Sequence, residues 1–171
     1  MRRSAGILVY RLGGAGVEVL LGHMGGPFWA RRDEAAWSIF KGEYPDGADA
    51  LEAALRELQE ETGMAVTADE PMIPLGEIRQ ASGKRVTAWA VARDVDPSVI
   101  RSNTFELEWP RGSGRFAAFP EIDRAEWFGL SDARVKLVKG QVMFLDILDR
   151  SLSKSSGGAA SHVEPTRGGA E

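Results

Sequence analysis

The segment from Gly42 to Met64 constrains this chain most, because it has the pattern of a helix with two opposite faces. At about 100° per residue, the carboxylates of Glu57, Glu60 and Glu61 fall within an arc of roughly 100°. The other side of the helix carries Leu51, Ala54, Leu55, Leu58 and Thr62. Like charges at these spacings cost about 0.2–0.5 kcal/mol per pair. A divalent cation would relieve that repulsion, since Mg²⁺ prefers oxygen ligands; the alternative is a solvated acidic face on an ordinary amphipathic helix.

The ends of this helix can be placed from local signals. Asp49 is a suitable N-cap, and Glu52 three residues later completes a capping box. Gly63 can adopt the left-handed conformation that often follows the last helical residue. We therefore expect a helix over Ala50–Thr62, with a favourable i,i+4 pair between Glu52 and Arg56.

The bulk properties describe a soluble globular chain. It has 171 residues, of which 43% are hydrophobic and 27% charged, which suits one domain with a sizeable core. The net charge of −4 argues against nonspecific binding to nucleic acid. The absence of cysteine excludes disulfides, thiol catalysis and cysteine-bound zinc. No apolar run is long enough to span a membrane, and a cytoplasmic location is the default.

The pattern along the chain predicts strands before and after the central helix, and hence an α/β layered domain. Alternating and β-branched stretches predict strands over 4–12, 17–21, 75–80, 85–93, 104–109 and 122–129, the first two forming a hairpin. Ser131 or Asp132 can cap a final helix. We expect a folded domain over 1–150 and a flexible tail rich in Ser, Gly and Ala over 151–171.

The segment Gly42–Met64 resembles the Nudix box, G-x5-E-x7-R-E-U-x-E-E-x-G-U, in which U is a bulky aliphatic residue. The matching positions are Gly42, Arg56, Glu57, Leu58, Glu60, Glu61, Gly63 and Met64, whereas Ala48 replaces the first Glu of the box. The stretches SAGILVYR, GGPFWA, AWSIFKGEY, FELEWP and FPEIDRAEWF are similar to one bacterial branch of predicted nucleotide pyrophosphohydrolases. This resemblance covers roughly residues 4–150. It implies an α/β/α sandwich with a mixed β-sheet, in which the box forms loop–helix–loop.

The resemblance also implies a reaction. It is the Mg²⁺-dependent hydrolysis of a pyrophosphate bond in a nucleoside diphosphate linked to another group, with Mn²⁺ as a substitute ion. Nucleoside triphosphates, dinucleoside polyphosphates, nucleotide sugars and ADP-ribose all stay open as substrates. Glu57 and Glu61 would be metal ligands, Glu60 a ligand or the group that orients water, and a backbone carbonyl near Lys41 or Gly42 a further ligand. Arg56 would orient Glu57, pair with Glu52, or both.

Two positions depart from the family pattern, and the general base is open. The methyl of Ala48 cannot bind a metal, so Asp46, Asp49 or a Glu outside the box would have to replace it if that role is needed. Phe40 stands where many relatives have Pro, and it can add packing in exchange. Three carboxylates in later loops are candidates for the base, namely Glu106, Glu108 and Glu121, with Glu121 favoured because it lies beside Pro120 at a loop-to-strand junction.

Phosphate and base contacts can be proposed from residue type. Lys41, Arg31 and Arg115 are the main candidates for holding phosphates, with Arg32, Lys84 and Arg111 behind them. Trp29 and Trp109 lie near loop glycine or proline and are the favoured residues for stacking on a nucleobase. Core packing is expected for Trp37, Trp89 and Trp127, and His23 is expected to be a polar residue at a strand end.

Two other functions remain open from the sequence. One is a catalytically weakened Nudix-fold module that binds a nucleotide and regulates, which Ala48 favours and the complete Arg56, Glu57, Glu60 and Glu61 set opposes. The other is an RNA 5′-end pyrophosphohydrolase, which would need a basic channel that the pI of about 5.3 does not favour. By analogy with relatives, a homodimer is also left open.

Overall fold

The computed structural model describes residues 2–157. The strands are β1 (Arg3–Gly13), β2 (Gly16–Met24), β3 (Trp37–Ser38), β4 (Phe40–Glu43), β5 (Ile73–Arg79), β6 (Arg85–Ala92), β7 (Thr104–Glu108), β8 (Phe116–Pro120) and β9 (Ile122–Gly129). The helices are α1 (Ala50–Thr62), α2 (Leu130–Lys136) and α3 (Val142–Gly157). Short 3₁₀ turns cover Pro97–Val99 and Lys139–Gln141.

The main sheet is mixed and lies between helices, as predicted. Its strands run in the order β3-β2-β1-β6-β5, with β4 also paired to β1 and β9 to β2. The β1–β6 pair is parallel and the other pairs are antiparallel. Successive residues of β1 face opposite layers. Ile7 and Val9 pack in the core under α1, whereas Leu8 packs in the core under α2 and α3.

The first hairpin opens into a fork, and one strand fills it. Near the turn, β1 and β2 pair with each other, for example Val9 with Leu20. Farther along, Ile7 pairs with Phe40 and Gly22 pairs with Ser38, so the strand over 37–43 lies between the two arms. Ile39 sits at the point of divergence, between β3 and β4.

A buried amide replaces the strand partner that Ile39 lacks at the fork. The backbone N–H of Ile39 donates to Oε1 of Gln141 at 3.0 Å, and Nε2 of Gln141 donates to Oγ of Ser38 at 3.0 Å. Gln141 is fully buried and belongs to the turn before α3. Because a buried backbone N–H must be paired, this side chain joins the C-terminal helical layer to the strand that leads into the box.

The sequence predicted α1 completely and the C-terminal region only in part. The helix begins after Asp49, whose side chain accepts from the N–H of Glu52, and ends at Gly63 with φ 76°. The predicted final helix is two helices, and the first is preceded by Gly129 rather than capped by Ser131 or Asp132. Helix α3 continues to Gly157, beyond the expected boundary at 150, and the rest of the predicted tail, 158–171, lies outside the described residues.

Strand β8 was not predicted, because its exposed residues lack an apolar alternation; within the described residues it pairs with β7 alone, in a separate two-stranded sheet. Phe40 is fully buried, which confirms the expected packing role.

No helix within 2–157 is long and apolar enough to cross a membrane. The cytoplasmic location and the homodimer stay predictions.

Gly63 should be required for its backbone conformation alone. It has φ 76°, and a Cβ at this position would meet nothing within 4 Å, so Gly63→Ala introduces strain without a clash. We expect a loss of about 1–2 kcal/mol in the free energy of unfolding, measured by chemical denaturation. Gly14→Ala is the matched control, since its Cβ also meets nothing and its φ is not positive. Equal effects of the two changes would contradict this explanation.

The buried amide at the fork should matter for stability. Gln141→Leu keeps an apolar stem but leaves the N–H of Ile39 without its acceptor. We expect at least about 1–3 kcal/mol of destabilisation, seen as a lower denaturation midpoint. Gln59→Leu, on the exposed side of α1, is the control and should change stability little. A Gln141→Leu variant as stable as this control would show that the amide does not hold the fork.

Candidate active site

The acidic side of α1 faces a cleft of about 510 Å³. The cleft is formed by the strand over 37–43, the end of α1, the β5–β6 turn and the segment before β9. Its charged lining includes Glu57, Glu60, Glu61, Glu121, Lys41 and Lys84. The three glutamates predicted from helical spacing therefore do meet in one concave site.

Glu57 lies directly against Gly42. A Cβ built on Gly42 would come within 1.9 Å of the carboxylate carbon of Glu57, so only glycine leaves room for this carboxylate. Nη2 of Arg56 donates to Oε1 of Glu57 at 2.9 Å, and Nε of Arg56 lies 3.7 Å from Glu60. Within residues 2–157 the ion pairs of Arg56 go to these two glutamates and not to Glu52. The arginine thus bonds to Glu57 and lies close to Glu60 on the acidic face; its role in orienting Glu57 stays a prediction.

Glu61 is the most buried of the cleft carboxylates. Its residue is 5% exposed, and the backbone N–H of Lys41 donates to the carboxylate. Burial raises the pKa of Glu61 to about 8; nearby Lys41 opposes this rise, while Glu121 and Glu57 add to it. Among the described residues Oε2 of Glu61 has no hydrogen-bond partner. A buried carboxylate oxygen without a partner is what a site for a hard cation requires.

The neighbouring charges respond to the same environment. Burial raises the pKa of Glu121, and Glu57 and Glu60 raise it further, whereas Lys41 lowers it. Burial lowers the pKa of Lys41, as does Lys84, while Glu61, Glu43 and Glu121 oppose the shift. The site is therefore one coupled set of charges in which Lys41 faces carboxylates from both sides of the cleft.

The residues fit a magnesium ion with few protein ligands. In the described part of the chain, no group of three or more Asp, Glu, His or Cys side chains is placed to hold a metal ion. Mg²⁺ does not need such a group, because it keeps several waters and takes one or two carboxylates together with substrate phosphates. Glu57, which lies against Gly42, and Glu61, which lies near Lys41, suit that role.

The other predicted site residues separate into two groups. Lys41, Lys84 and Glu121 line the cleft, and Trp29 lines a cavity that adjoins it. Arg31 and Arg115 are exposed and do not line the cleft. Two candidates for the general base lie outside the cleft: Glu106 is exposed on β7, and Glu108 accepts from the N–H of Gly114. Trp109, a candidate for stacking on a nucleobase, also lies outside the cleft and packs against Phe28.

Neither carboxylate near Ala48 replaces the missing Glu of the box. Asp46 lies 3.7 Å from Arg3 in an exposed ion pair, and Asp49 is occupied as the cap of α1.

His23 is fully buried, with Nδ1 at 2.9 Å from Asp123 and Nε2 at 2.7 Å from the carbonyl of Arg32. It therefore links β2 to β9 and to the loop that follows β2.

Sequence reasoning missed Ser38 and Asn103, which also line the cleft. The carbonyl of Asn103 accepts from the N–H of Glu121 at 2.8 Å and so helps to place that carboxylate. Neither residue has a local signal, because each reaches the cleft through pairing between segments distant in sequence.

Comparisons with known proteins agree with this geometry. The NUDIX domain family matches residues 1–146. The chain belongs to the Nudix family. This membership confirms the predicted fold and the class of enzyme, a pyrophosphohydrolase. No curated protein matches the chain.

Several solved Nudix structures share the fold at low sequence identity. The Ap4A hydrolase of C. elegans in a binary complex has a TM-score of 0.61 at 21% identity, covering 90% of this chain and 99% of its own. The NUDIX domain of Shewanella oneidensis NrtR complexed with ADP ribose has a TM-score of 0.59 at 14% identity, and the match covers 88% of this chain and 87% of that domain's chain. A mutT/nudix family protein from Listeria innocua has a TM-score of 0.60 at 17% identity, and the match covers 92% of this chain and 98% of that protein's chain.

A methyl group at position 42 should displace the carboxylate of Glu57. Because a Cβ on Gly42 would overlap this carboxylate, Gly42→Ala must move it out of the cleft or break its bond with Arg56. We expect about a hundredfold lower kcat for pyrophosphate-bond cleavage, with a small change in thermal stability because the flexible glutamate yields. Gly14→Ala again serves as the control, and full activity of Gly42→Ala would contradict the close approach.

Proposed function

We propose that this Nudix protein hydrolyses a pyrophosphate bond in a nucleoside diphosphate linked to another group, with Mg²⁺ as cofactor and Mn²⁺ as a substitute. The observation that carries the proposal is the meeting of Glu57, Glu60 and Glu61 in one cleft, where Glu61 has a buried oxygen without a hydrogen-bond partner among residues 2–157. Membership of the family supplies the bond type, and the cleft supplies the residues that would act on it.

The carboxylates would hold the ion. Glu57 and Glu61 are the proposed ligands, with Glu60 at the more exposed rim as a further ligand or as the group that orients water. The backbone carbonyl of Gly42 is the proposed main-chain ligand. When bound, Mg²⁺ neutralises charge on the phosphate oxygens and favours ionisation of water.

The protein's other groups would orient the reactants. Arg56 fixes the rotamer of Glu57 through the charge-assisted bond at 2.9 Å. Lys41 and Lys84 line the same cleft and present cationic groups to phosphate oxygens. Glu121 enters from the side opposite α1 and is the proposed acceptor of the proton from water. Attack of that water on phosphorus breaks the P–O bond of the anhydride and releases a nucleoside monophosphate and the remaining phosphorylated fragment.

Nucleotide derivatives with a pyrophosphate bond are the proposed substrate class. Two structures that share the fold are named for such compounds, an Ap4A hydrolase and a domain complexed with ADP ribose. Both compounds carry a nucleoside on a chain of phosphates. A panel of nucleoside triphosphates, diadenosine polyphosphates, nucleotide sugars and ADP-ribose, scored by formation of the nucleoside monophosphate with Mg²⁺ or Mn²⁺, would identify the substrate.

A nucleotide-binding module without turnover is the second candidate. Ala48 favours it, because Asp46 and Asp49, two candidates to replace the first Glu of the box, are engaged elsewhere. The two candidates differ in a direct assay. Thermal stabilisation by nucleotides in the absence of measurable turnover across the panel would establish the binding module in place of the enzyme.

Removing one charge from the proposed metal ligands should abolish most of the activity. For Glu57→Gln and Glu61→Gln we expect at least about a hundredfold loss of kcat, because a neutral amide is a far weaker ligand for a hard cation. The measurement is the rate of nucleoside monophosphate formation at saturating Mg²⁺. Glu106→Gln, on exposed β7 outside the cleft, is the matched control. Wild-type protein no more active than Glu57→Gln would contradict the hydrolase proposal.

A further inference from the structure

A second cavity, of about 500 Å³, adjoins the acidic cleft. The two share Met24, Ser38 and Lys41, so they form one continuous depression with two chemically different ends. The second end is lined by Trp29, the β5–β6 turn and the turn before α3. Its volume falls within the range of about 300–1,000 Å³ that is usual for small-molecule sites.

We propose that this cavity binds the nucleobase of the substrate, with Trp29 as the stacking residue. The inference rests on the proposed function and extends it, because it assigns the nucleoside to one side of the cleft. It also predicts that recognition depends on the base, so that a pyrophosphate compound without a base is a poor substrate.

Trp29 provides a fixed aromatic surface. Its ring packs against the core cluster under α2 and α3, and it is half-buried rather than free in the loop. The guanidinium of Arg32 lies 5.5 Å from the ring centroid and supports it by a cation–π contact. A tryptophan held in this way can stack on any base, since every base has a π-face.

A side-chain amide at the wall of the cavity can address the polar edge of a base. Gln141 also lines the cavity, but it is fully buried and bonded to Ile39 and Ser38, so it shapes the wall. Gln80 is partly exposed, and its amide carries both N–H donors and a carbonyl acceptor. It lies next to Gly140, where an added Cβ would be 3.1 Å from Cγ of Gln80. The small residue at 140 therefore keeps the amide of Gln80 within reach of the cavity.

The position of Lys41 between the two cavities indicates in which direction a bound nucleotide would lie. It lines both cavities, whereas Trp29 lines only the second and Glu57 and Glu61 only the first. A nucleotide whose base stacks on Trp29 would thus pass its first phosphate by Lys41 and reach the carboxylates with the next one. The base and the cleaved anhydride are then on opposite sides of the same lysine.

The main test compares two tryptophans. Trp29→Leu should raise KM for the nucleotide substrate at least about tenfold, as loss of one base–aromatic stack predicts, with kcat changed much less. Trp109→Leu is the matched control, because Trp109 packs against Phe28 and lies outside both cavities. A Trp29→Leu variant that is folded, as shown by its melting transition, and keeps the wild-type KM would overturn the proposal.

A binding measurement keeps the proposal testable if Trp29→Leu does not fold. In wild-type protein, a nucleoside monophosphate should quench intrinsic fluorescence and compete with substrate at least about tenfold better than ribose 5-phosphate, which has the same phosphate and no base. Equal competition by the two compounds would overturn the proposal. Fluorescence quenching by the monophosphate, together with no turnover of any compound in the substrate panel, would instead support the base site and contradict the hydrolase function, so the two failures can be told apart.

Discussion

The strand wedged between the arms of the first hairpin is the constraint on which the site depends. Because β1 and β2 diverge, the chain over 37–43 pairs with both and is fixed from two sides. The pairing fixes the backbone at Lys41 and Gly42. The N–H of Lys41 donates to Glu61, and the absence of a side chain at Gly42 leaves room for Glu57. The fork would leave the N–H of Ile39 unpaired, and Gln141 supplies the acceptor from the far layer. The geometry of the acidic face is thus set by strand pairing as much as by the helix that carries it.

Folding brings together charges that repel each other. Glu57 and Glu121 raise the pKa of Glu61, Glu57 and Glu60 raise that of Glu121, and burial removes the water that would screen these charges. Lys41 offsets part of this cost, and burial in turn lowers the pKa of its own ammonium. A core of α/β layers has no structural need for such a cluster. Its presence at the mouth of a cleft is therefore evidence for a ligand that carries compensating charge, such as a cation together with a phosphate chain.

The parts that sequence could predict are those decided by neighbours in the chain. Helix α1 depends on its own cap, its own apolar stripe and Gly63, so its bounds were predicted to the residue. The location of Glu121 near the cleft had only a weak signal, and Ser38, Asn103 and Gln141 had none, because long-range pairing brings them there. The break between α2 and α3 was missed because the apolar pattern continues across it. Arg31 and Arg115 were proposed by residue type, and loop geometry leaves both exposed outside the cleft.

The carboxylates of α1 and the cavity around Trp29 are formed by different elements, which is compatible with one acidic helix acting on different substrates. The residues that would act on the anhydride come from α1 and the strand before it, which are tied to the core on both faces. The wall around Trp29 comes from the loop after β2, the β5–β6 turn and the turn before α3. These connections can change in length and composition without moving Glu57 or Glu61, because among the described residues the two cavities share only Met24, Ser38 and Lys41. If the proposed base site is correct, bond type and substrate identity are set by separate parts of the chain, and the box alone predicts the first and not the second.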